Sequence, residues 1–122
     1  MREITTLLHD LRTLLEPSTE IDAEIWGHFE SDLRDEFKTI PADAPIPPFT
    51  ESMDFACLLI PVECWWSINS QCSGALGFHG HGPLIVLNEA GNCAIALAAL
   101  GVQFRELRKQ ALSKAAAAAV KH

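Results

Sequence analysis

The sequence predicts an α+β fold: two N-terminal helices, a Pro-rich linker, then a helix, a three-stranded antiparallel meander and a long C-terminal helix, forming a helix-sheet-helix sandwich. Three observations carry this expectation. Apolar residues recur at spacings of three and four over the first 37 residues and again after residue 92, which is the period of one helix face. Between residues 64 and 87, three short apolar runs are joined by Ser70-Gln71-Cys72-Ser73-Gly74 and His79-Gly80-His81-Gly82-Pro83. Links this short permit antiparallel pairing, because parallel strands need a long crossover. Finally, Pro41, Pro45, Pro47 and Pro48 crowd residues 38–48 and separate the helical start from the remainder.

The first helix is expected over residues 3–16, with Ile4, Leu7, Leu8, Leu11, Leu14 and Leu15 on one face and Pro17 ending it. Ser18 or Thr19 caps the second, and Glu20 and Asp22 fall in its first turn, where the helix dipole favours negative charge. Its stripe is Ile21, Ile25, Trp26 and Phe29, continuing past Gly27 towards Leu33 and Phe37. The linker reads as extended and stiffened by its prolines. After Pro47-Pro48, the hydroxyl of Thr50 or Ser52 is placed to cap a third helix carrying Met53, Ala56, Cys57 and Ile60, which Pro61 closes.

Strands follow at Cys64–Ser70, at Gly74 or Ala75 to Phe78, and at Leu84–Leu87. Alternation along a strand predicts one apolar face of Cys64, Trp66, Ile68, Leu76, Phe78, Leu84 and Val86, packed on helices three and four. The other face takes Trp65, Ser67, Asn69, Ala75, Gly77, His79, Ile85 and Leu87; it is covered by the first two helices, buried in a dimer, or left open as a site. Asn92, after Gly91, caps the last helix, whose stripe is Leu97, Leu100, Phe104, Leu107 and Ala111. Residues 113–122 read as a loose helical tail, since Ala115–Ala119 has little to pack. The whole is one domain of 122 residues: a helical pair (1–37), a linker (38–48), an α-β-β-β-α unit (49–112) and the tail.

Nine Lys and Arg against 16 Asp and Glu give a net charge of -7, which opposes binding to duplex nucleic acid through its phosphates. The acid lies mainly between Glu16 and Asp54, whereas Arg105, Arg108, Lys109, Lys114 and Lys121 make the C-terminal segment basic. The helix, three-strand meander and helix share their order with double-stranded RNA-binding domains, but the last helix opens Asn92-Cys93-Ala94-Ile95-Ala96, without lysines to reach phosphates. No apolar run is long enough to span a membrane and no signal-peptide pattern opens the chain. A cytoplasmic location is expected, with Cys57, Cys64, Cys72 and Cys93 reduced.

Pro47-Pro48-Phe49-Thr50-x-Ser52-x-Asp54-x-Ala56-x-x-Leu59-x-Pro61, the tryptophans after it, and Ala94-x-Ala96-Leu97-Ala98-Ala99-Leu100 together resemble the phage ABA sandwich domain, a family of small phage-encoded proteins. The resemblance spans roughly residues 1 to 110 and implies the sandwich fold and a phage or prophage origin. It brings no established activity and no catalytic residues.

His79-Gly80-His81-Gly82 is the most suggestive loop, because glycines let backbone approach a ligand between two imidazoles. Cys72 is near enough in sequence to be a third zinc ligand, but the spacing matches no standard zinc pattern. Trp65 and Trp66 point to opposite faces of one strand; Trp65, facing away from the core, is either buried under the N-terminal helices or a platform for a flat ligand. Asn69 lies two residues along that face from Ser67, and Arg105 and Arg108 lie close together on the last helix, where they either meet phosphates or form a solvated face. There is no P-loop, Gly-x-Ser-x-Gly or His-Glu-x-x-His sequence, so no cofactor or metal is implied and an enzyme is not expected.

The expected function is therefore binding. In the most specific form, a homo-oligomer sequesters a small nucleotide-like host signal to counter host defence, using Trp65, Asn69, His79, His81, Arg105 and Arg108. The alternative is a protein-interaction module whose acidic N-terminal surface inhibits a host protein or assists phage assembly. A weaker alternative is a small hydrolase with a Cys72 or Cys64 nucleophile and His79 as base.

Overall fold

A computed structural model describes the backbone of residues 2–120 and the side chains of residues 2–115. The elements are α1 (Ile4–Thr13), α2 (Thr19–Glu36), α3 (Met53–Ala56) running into a 3-10 turn (Cys57–Leu59), β1 (Cys64–Ile68), β2 (Gly74–Phe78), β3 (Ile85–Leu87) and α4 (Cys93–Val120). The strands form one antiparallel sheet in the order β1-β2-β3. The predicted α+β layout, with its long C-terminal helix, is thus the observed one. Among the described residues no helix is long and apolar enough to cross a membrane.

Helix α4 is the centre of the molecule. Every residue from Ala94 to Val102 is buried, so this part is covered on all sides and not along a single stripe, the pattern of a helix surrounded by protein. It touches α1, α3, the 3-10 turn and all three strands. Gly101 makes one of these approaches possible: a Cβ there would sit 2.6 Å from Leu59 Cβ. Leu107, expected on the stripe, is 43% exposed, because α4 has by then run past the core. Of the loose tail expected over residues 113–122, residues 113–115 continue the helix and are exposed, while the side chains of 116–122, Lys121 among them, lie outside the described residues.

Helix α1 ends at Thr13, earlier than predicted. Leu14 is extended, and a Cβ on Gly91 would overlap the Leu14 carbonyl oxygen and the Leu15 backbone. The chain leaves the helix to pass under this glycine, and Leu15 ends up 80% exposed. Helix α2 begins as expected: Ser18 Oγ accepts from Ile21 N at 3.2 Å.

Thr50 does not cap α3, and Ser52 makes no side-chain cap either. Thr50 is fully buried, where its hydroxyl donates to Asp22 Oδ1 (2.9 Å) and accepts from Ser18 N (2.9 Å). Thr50 N also donates to Asp22 Oδ1 (2.8 Å), and Asn92 Nδ2 donates to the Thr50 carbonyl (3.1 Å). Asn92 Oδ1 in turn accepts from Ile95 N at 2.7 Å and caps α4. One knot of polar groups therefore fixes the starts of α2 and α4 to the linker's end. Asp22 is buried within it and not displayed to solvent, and burial pushes its carboxyl up from the usual range against the hydrogen bonds from Thr50. With α3 so anchored from behind, only a single α-helical turn and a 3-10 turn fit before Pro61.

The linker is more than a spacer. Arg34 donates to the carbonyls of Pro41 (3.0 Å) and Ala42 (3.4 Å) and turns the segment back on α2. Ile40 packs against the core and Phe49 is fully buried.

Candidate functional site

Strand register places the sheet's residues in rows. Trp66, Leu76 and Ile85 form one row of the inner face, and Ile68, Gly74 and Leu87 the next. At the other end of this face Cys64 lies opposite Phe78, whose ring meets Phe104 of α4 edge-on at 5.6 Å between centroids. The first two strands thus face as predicted, but the third is inverted: Ile85 and Leu87 are buried, while Leu84 and Val86 are 52% and 68% exposed. Pairing of Leu76 with Ile85 sets this phase, and a one-residue shift exchanges the faces of a whole strand. Trp66, expected in the core, is 39% exposed on the edge strand β1.

The outer face therefore carries Trp65 and Gly77 in one row and Ser67, Ala75 and Val86 in the next, with Leu84 exposed just before β3. The sheet meets the helical part of the protein through α4, on its inner face, so the N-terminal helices do not cover the outer one. Trp65 is half-buried, but by its own sheet. Its indole crosses Gly77, where a Cβ would stand 3.0 Å from Nε1, and Nε1 donates to the His81 carbonyl at 2.9 Å. The 79–82 loop folds back so closely that the same Cβ would lie 2.5 Å from the Gly82 carbonyl oxygen. Gly80, at φ 83°, uses the left-handed conformation open to glycine to make this return.

The two loop histidines do not converge. His79 Nε2 bonds the Val62 carbonyl (3.1 Å) and its N–H donates to the Glu63 carbonyl (3.1 Å), whereas His81 contributes backbone groups and leaves its ring exposed. Among the described residues no three His, Cys, Asp or Glu side chains are grouped to hold a metal. Asn69 shapes the β1–β2 turn: its Oδ1 accepts from Gln71 N (2.9 Å) and Ser73 N (3.1 Å). Cys64 is buried on the inner face, opposite Phe78, and so points away from the outer side where His79 follows. Cys72 lies beside Cys93, and the Cys/His pairing of the hydrolase reading is not assembled.

Arg105 and Arg108, on the basic side of α4, are also committed. Arg105, expected at a ligand, is 3% exposed. Its guanidinium makes a two-pronged pair with Glu36 (2.7 and 2.9 Å) and donates to the Leu59 carbonyl (2.7 Å). That hydrogen-bonded pairing holds the Glu36 carboxyl below its usual range. Arg108 pairs with Glu63 (2.9 Å) and lies over the Phe104 ring. Sequence offered one signal for Arg105: it continues the Leu97-Gly101 line by a further turn, into protein and not into water. On the acidic N-terminal side, Asp10 and Glu24 pair with Arg2 and Glu30 with Arg34, leaving Glu20, Asp32 and Asp35 exposed on α2.

A second concave feature went unrecognised in the sequence: an apolar groove of about 350 Å³ between α2, the linker and α3, lined by Trp26, Ile40, Pro45, Pro47, Phe55 and Leu58. Its walls come from three separate stretches, so no local pattern announces it. Comparison with protein-family models, with curated proteins and with solved structures finds no match to this chain.

Proposed function

We propose that the protein acts by binding and not by chemistry, as a protein-interaction module of phage origin that works through the open face of its sheet. One observation carries the reading. The outer face presents Trp65, Ala75 and Val86, with Ser67 as the polar side chain and no charged one in either row, and Leu84 is exposed just before β3, in a chain whose net charge is -7. An antiparallel sheet that faces water ordinarily alternates apolar inside with polar outside, and an apolar patch bounded by polar groups marks an interaction surface. Lack of charge also makes the face compatible with itself, as a two-fold interface requires. Self-association there is the expected first step, and it leaves the exposed carboxylates of α2 for a basic host or phage protein.

Light scattering on the purified protein tests this. A dimer or larger assembly is expected, and Val86→Glu should convert it to monomer while changing folding stability by no more than about 0.5 kcal/mol, as for other surface substitutions. A wild-type monomer at all concentrations, or an assembly untouched by Val86→Glu, overturns the reading. The nucleotide-sequestering alternative has one favourable observation, the partly exposed Trp65 indole. It lacks the cations expected to accompany it, because Arg105 and Arg108 are paired with Glu36 and Glu63. Thermal shifts against mono-, di- and cyclic nucleotides, repeated on Trp65→Ala, decide it.

A further inference from the structure

We propose that Cys72 and Cys93 form a dithiol modification site that closes to an intrachain disulfide on exposure to a peroxide or a small-molecule disulfide. The two sulfurs stand 2.9 Å apart, within about an ångström of the ~2.05 Å separation of a bonded pair. Their backbones are already clamped to each other. Cys72 N donates to the Asn69 carbonyl (3.0 Å) and the Cys72 carbonyl accepts from Ala90 N (3.0 Å). Ser73 Oγ accepts from Glu89 N (2.9 Å). Cys93, the first residue of α4, follows Asn92, which is itself tied to Thr50 and Ile95. Bond formation therefore asks for a side-chain adjustment and no movement of either element.

Two further features set this pair apart. Cys72 has φ 57°, a left-handed conformation uncommon for a residue with a Cβ, so turn geometry alone does not explain a cysteine there. Both Cys72 and Cys93 are only partly buried and open to small reagents. Cys64, by contrast, is buried, and Cys57, although partly buried like the pair, has its thiol on the Asp54 carbonyl at 3.0 Å and not on another cysteine.

The chemistry balances with a named oxidant. One thiol loses its proton and attacks a peroxide oxygen, giving a sulfenic acid. The second thiolate attacks that sulfur and expels the oxygen as water, so two thiols and one hydrogen peroxide become a disulfide and two waters. With a small-molecule disulfide, two successive exchanges release two small thiols. The product ties the β1–β2 turn to the start of α4 and closes the segment between residues 72 and 93. This inference is independent of the binding reading.

The test treats the purified full chain with dilute hydrogen peroxide, and separately with oxidised glutathione, before thiol titration and non-reducing peptide mapping. Titratable thiols are expected to fall from the four present to two, with one crosslink joining Cys72 to Cys93 within one chain. The unfolding temperature should rise by several degrees, and a thiol reductant should return it. A Cys57→Ser/Cys64→Ser variant should form the same crosslink, its two remaining thiols falling to none. Retention of all four thiols, crosslinks to Cys57 or Cys64, crosslinks between chains, or separate adducts on each sulfur would each overturn the proposal. The wild-type readout does not depend on whether Cys72→Ser folds.

Discussion

The helical side of α4 and the outer face of the sheet are built on opposite terms. On the helical side, polar groups that enter the interior are matched: Arg105 with Glu36 and Leu59, Asp22 with Thr50, Asn92 with Thr50 and Ile95. No buried side-chain nitrogen or oxygen lacks a partner among the described residues. On the sheet side, apolar groups are left facing outward and only Trp65 is tied down. Polar groups on the helical side are thus tied into the fold, whereas the outer sheet face leaves apolar groups exposed.

The largest effect should come from opening the closed side. Arg105→Met keeps much of the side chain's bulk but orphans the Leu59 carbonyl and frees Glu36. Removing one member of a buried ion pair costs about 3–5 kcal/mol; Glu36 is 35% exposed and can turn to water, so about 2–3 kcal/mol is expected from urea unfolding. A smaller loss would mean that the pair is weaker than its geometry, and the contrast between the sides with it. On the sheet side Gly77→Ala should cost about 1–2 kcal/mol, as overpacking does, and should expose the Trp65 indole, seen as a red shift in emission. Unchanged stability and emission would show that the loop is not pressed against the strand as described.

The smallest effect is the most informative in sign. Because the folded-state pKa of Asp22 is raised by burial, its ionisation works against folding: the contribution is fully favourable below the unfolded-state pKa and is lost as pH rises through the folded one. Asp22→Asn keeps an oxygen for Thr50 and removes that charge. The variant should match the wild type in acid and exceed it by up to about 1 kcal/mol near neutral pH. Glu36 runs the other way: its pKa is lowered, chiefly by the hydrogen bonds from Arg105, so its contribution is present above the unfolded-state value and fades as pH falls through the folded one. Acid titration of stability in Glu36→Gln should therefore be flatter than in the wild type.

What could be read in advance divides along physical lines. Caps at Ser18 and Asn92, the stop before Pro61, and the meander's short links are local, and sequence displayed them, whereas α1 stops at Thr13, short of Pro17, because of the distant Gly91. The phase of β3 was not legible because Leu84-Ile85-Val86-Leu87 is apolar at every position, so alternation gave no direction and only the path of the preceding loop decides. Thr50 and Asp22 lie 28 residues apart, Glu36 and Arg105 69 apart; each looked like an ordinary cap or surface charge until the chain brought its partner. Of the candidate ligand residues, Trp65 and His79 kept their expected side, away from the core. The histidines and Arg105 serve the fold.

Helix α4 is both the common partner of the other elements and the last to be made. During synthesis α1 and α2, and the three strands, can pair only among themselves, and the contacts of α1, α3 and the strands to α4 that join them are long-range, of the kind that closes slowly. A ribosome-bound chain stopped before Cys93 should remain protease-sensitive throughout, and the protein's assembly becomes a single late event instead of a progression from its N-terminus.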